Sequence, residues 1–258
     1  MTVLDIGEVA QALQGALVGS RLLYYPSTTS TMDVARELAA AGCPEGTVVL
    51  AEEQTAGRGR FQRQWIAPPD VNLYLSVVLY PSLYALRRLT MATSLGVARG
   101  ITRACGLPVT IKWPNDIRSR GRKLCGILLE SAAQGDRVQY ATVGVGVNVN
   151  LDPSPYPEIA STATSLMLEQ GQPVARELVL STILLEMDRV YRALQAGQSV
   201  TQEWRGLLET LGQRVEVRWG DQREAGLAEE VGEEGELLLR RDDGSLVSLP
   251  AGEVTLQG

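Results

Sequence analysis

The chain reads as an α+β protein, a mixed β-sheet with flanking helices over residues 1–211 followed by a small C-terminal β-barrel over residues 212–258. Three observations predict this. Apolar strand-like runs are interspersed with helical periodicity up to about residue 211. Leu86, Leu89, Thr93, Val97, Ile101 and Ala104 recur at helical spacing and predict one long core-facing helix. From Gly212 onward the sequence changes to short β-type runs separated by glycine turns.

The elements follow in order. Residues 4–17 read as a short helix leading into a strand at Arg21-Leu22-Leu23-Tyr24-Tyr25. Residues 27–31, Ser-Thr-Thr-Ser-Thr, form a polar loop with several N-cap candidates, and the next helix runs to about Ala41 with Gly42 as its stop. Residues 46–52 are strand-like, 54–63 a Gly/Arg loop, and 72–80 a β-rich run ending at Pro81. The long helix ends at Gly106-Leu107-Pro108. A strand over 109–112 is broken by the turn signature Trp113-Pro114-Asn115-Asp116, and 123–130 with 138–149 read as a hairpin. A proline-rich loop over 152–157 precedes helices over 176–194 and 200–211. The C-terminal strands are expected at 215–217, 237–239 and 246–249, the last two joined by an Asp243-Gly244 hairpin turn.

Composition bounds the chemistry. The 258 residues suffice for a large domain with a satellite, and 45% hydrophobic with 21% charged residues is an ordinary globular balance. No apolar run approaches the roughly 20 residues a membrane helix needs, and the start Met1-Thr2-Val3-Leu4-Asp5 lacks a secretory layout, so a cytoplasmic protein without a membrane role is expected. Cys43, Cys105 and Cys125 are far apart and form no Cys-x-x-Cys, so reduced thiols are expected. There is no histidine, which excludes Ser-His-Asp and Cys-His catalysis and His-ligated metals. A formal net charge of −6 argues against nucleic acid as a partner. Against that background two acid-free basic stretches stand out: Arg58, Arg60, Arg63 and Arg118, Arg120, Arg122, Lys123.

Four motifs carry chemistry. In Gln54-Thr55-Ala56-Gly57-Arg58-Gly59-Arg60, alternating glycines let the backbone approach an anion while two guanidiniums reach it with forked donors. That suits a phosphate or a carboxylate; taken alone, the loop reads more readily as a flexible solvated turn, and it is not a Walker loop. Lys112-Trp113-Pro114-Asn115-Asp116 is a rigid corner, which either simply turns the chain or presents an amide and a carboxylate to a ligand. Lys123 opens the apolar run to Glu130 and either faces water or enters a pocket. Gly144 and Gly146 inside a strand imply close approach by a ligand or another chain segment, and Asn148 needs a partner if buried.

Together, Gln-x-Ala-Gly-Arg-Gly-Arg, Lys-Trp-Pro-Asn-Asp, Arg-Lys-Leu-x-Gly-Ile-Leu-x-Glu and Gly-x-Gly-x-Asn, in this order over about a hundred residues, resemble the biotin–protein ligase family. The resemblance runs from about Ser27 into the C-terminal module. It implies a class II synthetase-like catalytic domain with an SH3-like barrel, in the short form without an N-terminal DNA-binding domain. It also implies a two-step reaction: biotin and ATP give biotinyl-5′-AMP and pyrophosphate, and a lysine of a carboxylase's biotin carboxyl carrier domain then attacks the mixed anhydride, takes the biotin and releases AMP. Mg²⁺ is expected with ATP. By the same resemblance Ser30, Thr31, Met32, Gln54, Gly57, Arg58, Gly59, Arg60, Lys123 and Gly126 bind biotin, with Ser30 and Thr31 at its ureido end. Arg58, Arg60, Arg63, Trp65, Asn115, Lys123 and Asn148 would face the nucleotide, and Lys123, Arg60 and Asp116 would carry catalysis.

The chain departs from the family pattern in two places. Gln62 stands where the arginine loop usually has a second glycine, after Phe61, the sole phenylalanine. Met32 stands where asparagine usually follows Ser-Thr. The competing readings are a lipoate–protein ligase, which shares the architecture, and a non-catalytic biotin-binding regulator, which would be expected to lack Lys123 or the arginines. An exposed strand edge could support a homodimer or a carrier complex.

Overall fold

The computed structural model describes residues 3–135, 137–219 and 222–256. A seven-stranded sheet forms the centre, in the order β1-β2-β3-β7-β6-β5-β4. Its strands are β1 (Arg21–Thr28), β2 (Thr47–Gln54), β3 (Leu73–Leu79), β4 (Thr110–Lys112), β5 (Asp116–Ser119), β6 (Arg122–Gln134) and β7 (Arg137–Val147). Only β1 and β2 run parallel; every other neighbouring pair is antiparallel. Helices α1 (Ile6–Ala12), α2 (Thr31–Ala40), α3 (Leu83–Cys105), α4 (Leu166–Gln170), α5 (Arg176–Gln195) and α6 (Thr201–Leu207) surround it.

Strand alternation assigns the two faces different tasks. Val48, Leu50, Leu75, Val77, Val145 and Ile127 supply one face with an apolar surface in the main core, where α3 and α5 pack. Gly96 and Gly100 bring those helices close, since a Cβ there would lie 2.9 Å from Met187 Cα and 2.6 Å from Ile183 Cα. The long helix has the expected ends: the Ser82 hydroxyl accepts from the Ala85 amide, and Gly106 closes it in a left-handed conformation at φ 64°. The opposite face carries Val49, Ser76, Val78, Gly144, Gly146 and Gly126, which are cross-strand neighbours. There α2 covers one end through Ala35 and Ala39 against Val49 and Val78, and the glycines leave the other end hollow.

The C-terminal strands β8 (Arg214–Trp219), β9 (Gln222–Val231), β10 (Leu237–Arg240), β11 (Leu246–Leu249) and β12 (Glu253–Leu256) form a second, antiparallel sheet in the order β11-β10-β9-β8-β12. Among the described residues β11 and β12 do not pair, so the sheet is open where the sequence predicts a barrel. Trp113 joins the two sheets. It is fully buried, donates through Nε1 to the Gly235 carbonyl at 2.8 Å, and shares one core with Val215, Val217 and Leu237.

Several boundaries differ from the sequence-based expectation. The first helix stops at Ala12 rather than Leu17, because the chain turns at Gly15 with φ 83°. The helix expected over 200–211 ends at Leu207, where Leu208 turns extended and forms a bridge with Ile111. Residues 27 and 28, expected in a loop, extend β1 and pair with Glu53 and Gln54. Strands β5, β9 and β12 and helix α4 were too short or too polar to show a clear period. The three thiols are free, and Cys125 is buried.

A buried ion pair fixes the N-terminal segment. Arg176 reaches Glu52 with both side chains about 6% exposed, and Glu52 also accepts from the Leu4 amide and the Tyr24 hydroxyl. Burial alone would raise the Glu52 pKa, but the bonds from Arg176, Leu4 and Tyr24 hold it below the usual carboxylate range. Its contribution is therefore present above the normal carboxylate pKa and fades as pH falls through the lowered one. Arg176→Ala is expected to lose about 3–5 kcal/mol in urea unfolding at pH 7, with the deficit shrinking in acid; equal stabilities at pH 7 would contradict this role.

Candidate active site

On the hollow face lies a cavity of about 660 Å³, bounded by both sheets and the Gly/Arg loop. Its floor is the β6–β7 hairpin, where Gly126 and Gly146 are directly paired. The Trp65 indole lies on them: a Cβ on Gly146 would be 2.7 Å from Trp65 Cε2, and one on Gly126 2.8 Å from Cζ3. Gly144 likewise leaves room for the Met32 sulfur, 2.8 Å from where a Cβ would sit. Any larger residue at these positions would push a side chain out of the site. Trp65 Nε1 is buried with no hydrogen-bond partner among the described residues, so the floor offers an unused donor.

One end of the cavity is polar and uncharged. Ser30 occupies the N-cap position of α2, is 1% exposed and makes no capping bond with its hydroxyl. Gln54 Oε1 accepts from the Thr31 amide at 2.8 Å and from its hydroxyl at 3.1 Å, and Thr31 Oγ1 lies 2.8 Å from Ser76 Oγ. Strand β2 and helix α2 thus brace each other around hydroxyl and amide groups that can satisfy a small polar ring system.

The other end is cationic. Lys123 Nζ sits 2.8 Å from Asp116 Oδ1 and 5.4 Å from the Trp65 ring centroid. Its backbone is held by bonds to the Thr162 carbonyl and from the Thr164 amide. Arg60 donates to Asn115 Oδ1 at 3.1 Å, while the Asn115 amide donates to the Ile127 carbonyl. Burial pulls the Arg60 pKa below its usual value. Asn148, expected to need a partner, donates from Nδ2 to the Thr164 carbonyl at 3.0 Å.

The Gly/Arg loop forms the cover and is latched at two points. Arg58 forms a forked pair with Asp33 at 2.8 and 2.9 Å, which lowers the Asp33 pKa and raises that of Arg58. Arg63 donates to Glu253 on β12, 190 residues away, at 2.8 Å. Both pairs are partly exposed, so each is worth about 0–1 kcal/mol at most. Such latches suit a cover that closes and reopens. The loop's left-handed residue is Phe61, at φ 56°, 54% exposed, with the Arg60 guanidinium 5.0 Å from its ring centroid. The side chain of Gln62 lies outside the described residues.

Of the site residues expected from sequence, Ser30, Thr31, Met32, Gln54, Arg58, Gly59, Arg60, Arg63, Trp65, Asn115, Asp116, Lys123, Gly126 and Asn148 all line this cavity. Gly57 does not: it packs behind the loop, where a Cβ would meet the Trp65 carbonyl at 2.7 Å. Arg58 faces Asp33 rather than the cationic end. Sequence reasoning missed Lys112, Arg118, the 158–163 segment and Glu253, which also line the cavity. Lys112 headed a motif already singled out; Glu253 had no local signal, because only the tertiary fold brings β12 to the rim.

This geometry, a covered cleft with a polar end and a cationic end, suits a small polar molecule that carries or meets an anionic group. Residues 24–148 match the biotin/lipoate A/B protein ligase family, and residues 210–256 match the biotin protein ligase C-terminal domain. The chain is 32% identical over 261 residues to the biotin–[acetyl-CoA-carboxylase] ligase of Mycobacterium tuberculosis, covering 97% of this chain and 95% of that one. It is 35% identical over 246 residues to the bifunctional ligase/repressor BirA of Bacillus subtilis, covering 93% of this chain and 76% of the relative. The biotin protein ligase from Aquifex aeolicus, solved in complex with biotin and ATP, superposes with a TM-score of 0.80 at 26% identity, over 92% of this chain and 98% of that one. The chain belongs to the biotin–protein ligase family.

The latch can be tested without any ligand. Asp33→Asn frees Arg58 and is expected to speed trypsin cleavage between residues 58 and 63 severalfold, while global stability changes by less than about 1 kcal/mol. Unchanged cleavage would show that the Asp33–Arg58 pair does not hold the loop.

Proposed function

We propose that the chain is a biotin–protein ligase that converts biotin and ATP to biotinyl-5′-AMP and transfers the biotin to a lysine of a biotin carboxyl carrier domain. The observation carrying this reading is the polarity of this cavity. The Ser30–Thr31–Gln54 end suits the ureido ring, the glycine floor and Trp65 suit an apolar chain and a flat base, and Lys123 with Arg60 suits a carboxylate meeting a phosphate.

Carboxylate and α-phosphate repel, so fixed cations must neutralise both before they approach. Lys123 takes the carboxylate oxygen, oriented by Asp116, and Arg60 takes the phosphate side, oriented by Asn115. No proton transfer is needed in that displacement, which fits a chain without histidine. Burial by the loop then keeps water from the mixed anhydride until the carrier lysine arrives. Mg²⁺ bound with ATP would add to the charge neutralisation of the phosphates. Among the described residues, Asp116, Glu158 and Glu253 are the carboxylates that line the cavity and could help phosphate and water hold the ion.

The catalytic unit is taken as residues 1–211 and the C-terminal unit as 212–258, the latter read as the family's SH3-like module. A cytoplasmic location accords with the absence, among the described residues, of any helix long and apolar enough to cross a membrane. An edge strand of either sheet could pair with a second copy or with the carrier.

The test is biotin-dependent pyrophosphate release, followed by one biotin mass increment on an added carrier domain; release with lipoate instead would move the function to the sister activity. Lys123→Ala is expected to slow that release about a hundredfold or more, and a wild-type rate would remove Lys123 from the mechanism. Arg60→Gly, which opens the cover beside the phosphate, is expected to leak the adenylate and label unrelated lysines. No increase over wild type would contradict the retention role.

A further inference from the structure

The second basic stretch, free of acids in the sequence, is answered by acids that the fold brings from elsewhere. Arg118 pairs with Glu209, while Arg120 and Arg122 both turn to Glu169 on α4, at 3.6 and 3.0 Å. The arginines reach it from the surface, whereas the Glu169 side chain has no exposed area. Each of its oxygens also accepts from a buried hydroxyl: Oε1 from Thr164 at 2.6 Å and Oε2 from Ser119 at 3.0 Å. Burial pushes the Glu169 pKa up, but these two bonds and the two guanidiniums hold it below the usual carboxylate range. Enclosing a carboxylate is costly unless it is paired and fully bonded. Here the bonds bind β5, the turn into β6, α4 and the segment before α4 to one another.

Glu169 does not line the cavity, but the chain it braces does, at Thr162, Ala163 and Lys123. Lys123 lies where strand pairing cannot fix it alone. Toward β5 the register slips, with Ile117 facing Cys125 and Arg118 facing Lys123, so Leu124 is an extra residue and the ladder breaks beside the lysine. On the other side, pairing with β7 begins only at Cys125. At such a bulge the direction of a side chain is set by whatever else holds the backbone. That support is the 162–164 segment, which bridges Lys123 in parallel: the Lys123 amide donates to the Thr162 carbonyl at 2.8 Å, and the Thr164 amide to the Lys123 carbonyl at 2.9 Å. Thr164 therefore meets the lysine with its backbone and Glu169 with its hydroxyl.

We propose that Glu169 is a positioning residue: through the Thr164 hydroxyl it fixes the segment that aims the Lys123 ammonium into the cavity. This rests on the ligase reading above, in which Lys123 meets the biotin carboxylate. Glu169 touches no substrate and moves no proton. It keeps Lys123 Nζ beside Asp116 and near the face of Trp65, and a small misplacement of a charge-stabilising group costs rate steeply.

The experiment joins hydrogen exchange to a mutant cycle in pyrophosphate release, with Glu169→Gln and Thr164→Val made alone and each combined with Lys123→Ala. Thr164→Val keeps the shape of the side chain and removes only the hydroxyl bond, so it carries the test should Glu169→Gln fail to fold. Expected is exchange at the Lys123 and Thr164 amides about tenfold faster than in wild type, with the amides of α3 unchanged. Biotin-dependent release is expected to slow about tenfold. In the Lys123→Ala background the same changes slow release by less than about twofold, because the group being aimed is gone. An equal loss in both backgrounds makes Glu169 merely structural and overturns the proposal, as do wild-type exchange and release in both variants. A wild type that releases no pyrophosphate with biotin overturns the ligase reading and the catalytic part of the proposal with it; the exchange rates then decide separately whether Glu169 holds the Lys123 backbone.

Discussion

The site depends on the side chains that are missing from the β6–β7 hairpin. Gly126, Gly144 and Gly146 lie on one face of the most central strands, flanked by ordinary β-formers on the other face. Glycine weakens a strand by roughly 0.5–1 kcal/mol relative to alanine. The apolar face beneath, packed on α3, supplies the burial that keeps the strands in register despite that loss. In return the face above can hold a flat indole directly against the backbone and keep a cavity in the middle of a well-paired sheet.

Charge is distributed around that floor with a similar economy. Lys123 and Asp116, Arg58 and Asp33, and Arg63 and Glu253 each set a cation at the cavity beside a carboxylate. A chain without histidine has no imidazole to carry protons near neutral pH, and what the site offers in its place is fixed charge. The second sheet belongs to this arrangement. Through Glu253 it touches the loop, and through Trp113 it shares the core from which the Lys112–Asp116 corner projects.

Much of this was legible in the sequence because it is local. The long α3 announced itself by period and ended at its glycine, and the glycines in β7 did mark a close approach, although the approaching group is the chain's own Trp65 and Met32. The lysine and arginine motifs lay on the cavity because each is a short rigid segment with its chemistry at fixed spacing. What escaped was set by tertiary structure. Glu253 lies in a four-residue strand with no period to detect, and it reaches Arg63 only because the second sheet folds back across the mouth. Arg58 could not be told from Arg60 by sequence, since the choice between Asp33 and the cavity depends on where α2 starts. The barrel was expected from turn spacing, yet closure is a matter of pairing between first and last strands, which local patterns do not encode.

The central claim is that one cavity brings biotin and ATP together and keeps the activated product. Its most direct test is to incubate the protein with biotin, ATP and Mg²⁺ without any carrier, remove free ligands rapidly, denature, and identify what was bound by mass spectrometry. The account predicts biotinyl-5′-AMP approaching one equivalent per chain, dependent on both substrates. Recovery of intact biotin and ATP, with no adenylate, would show that the cavity binds the substrates without joining them and would contradict it.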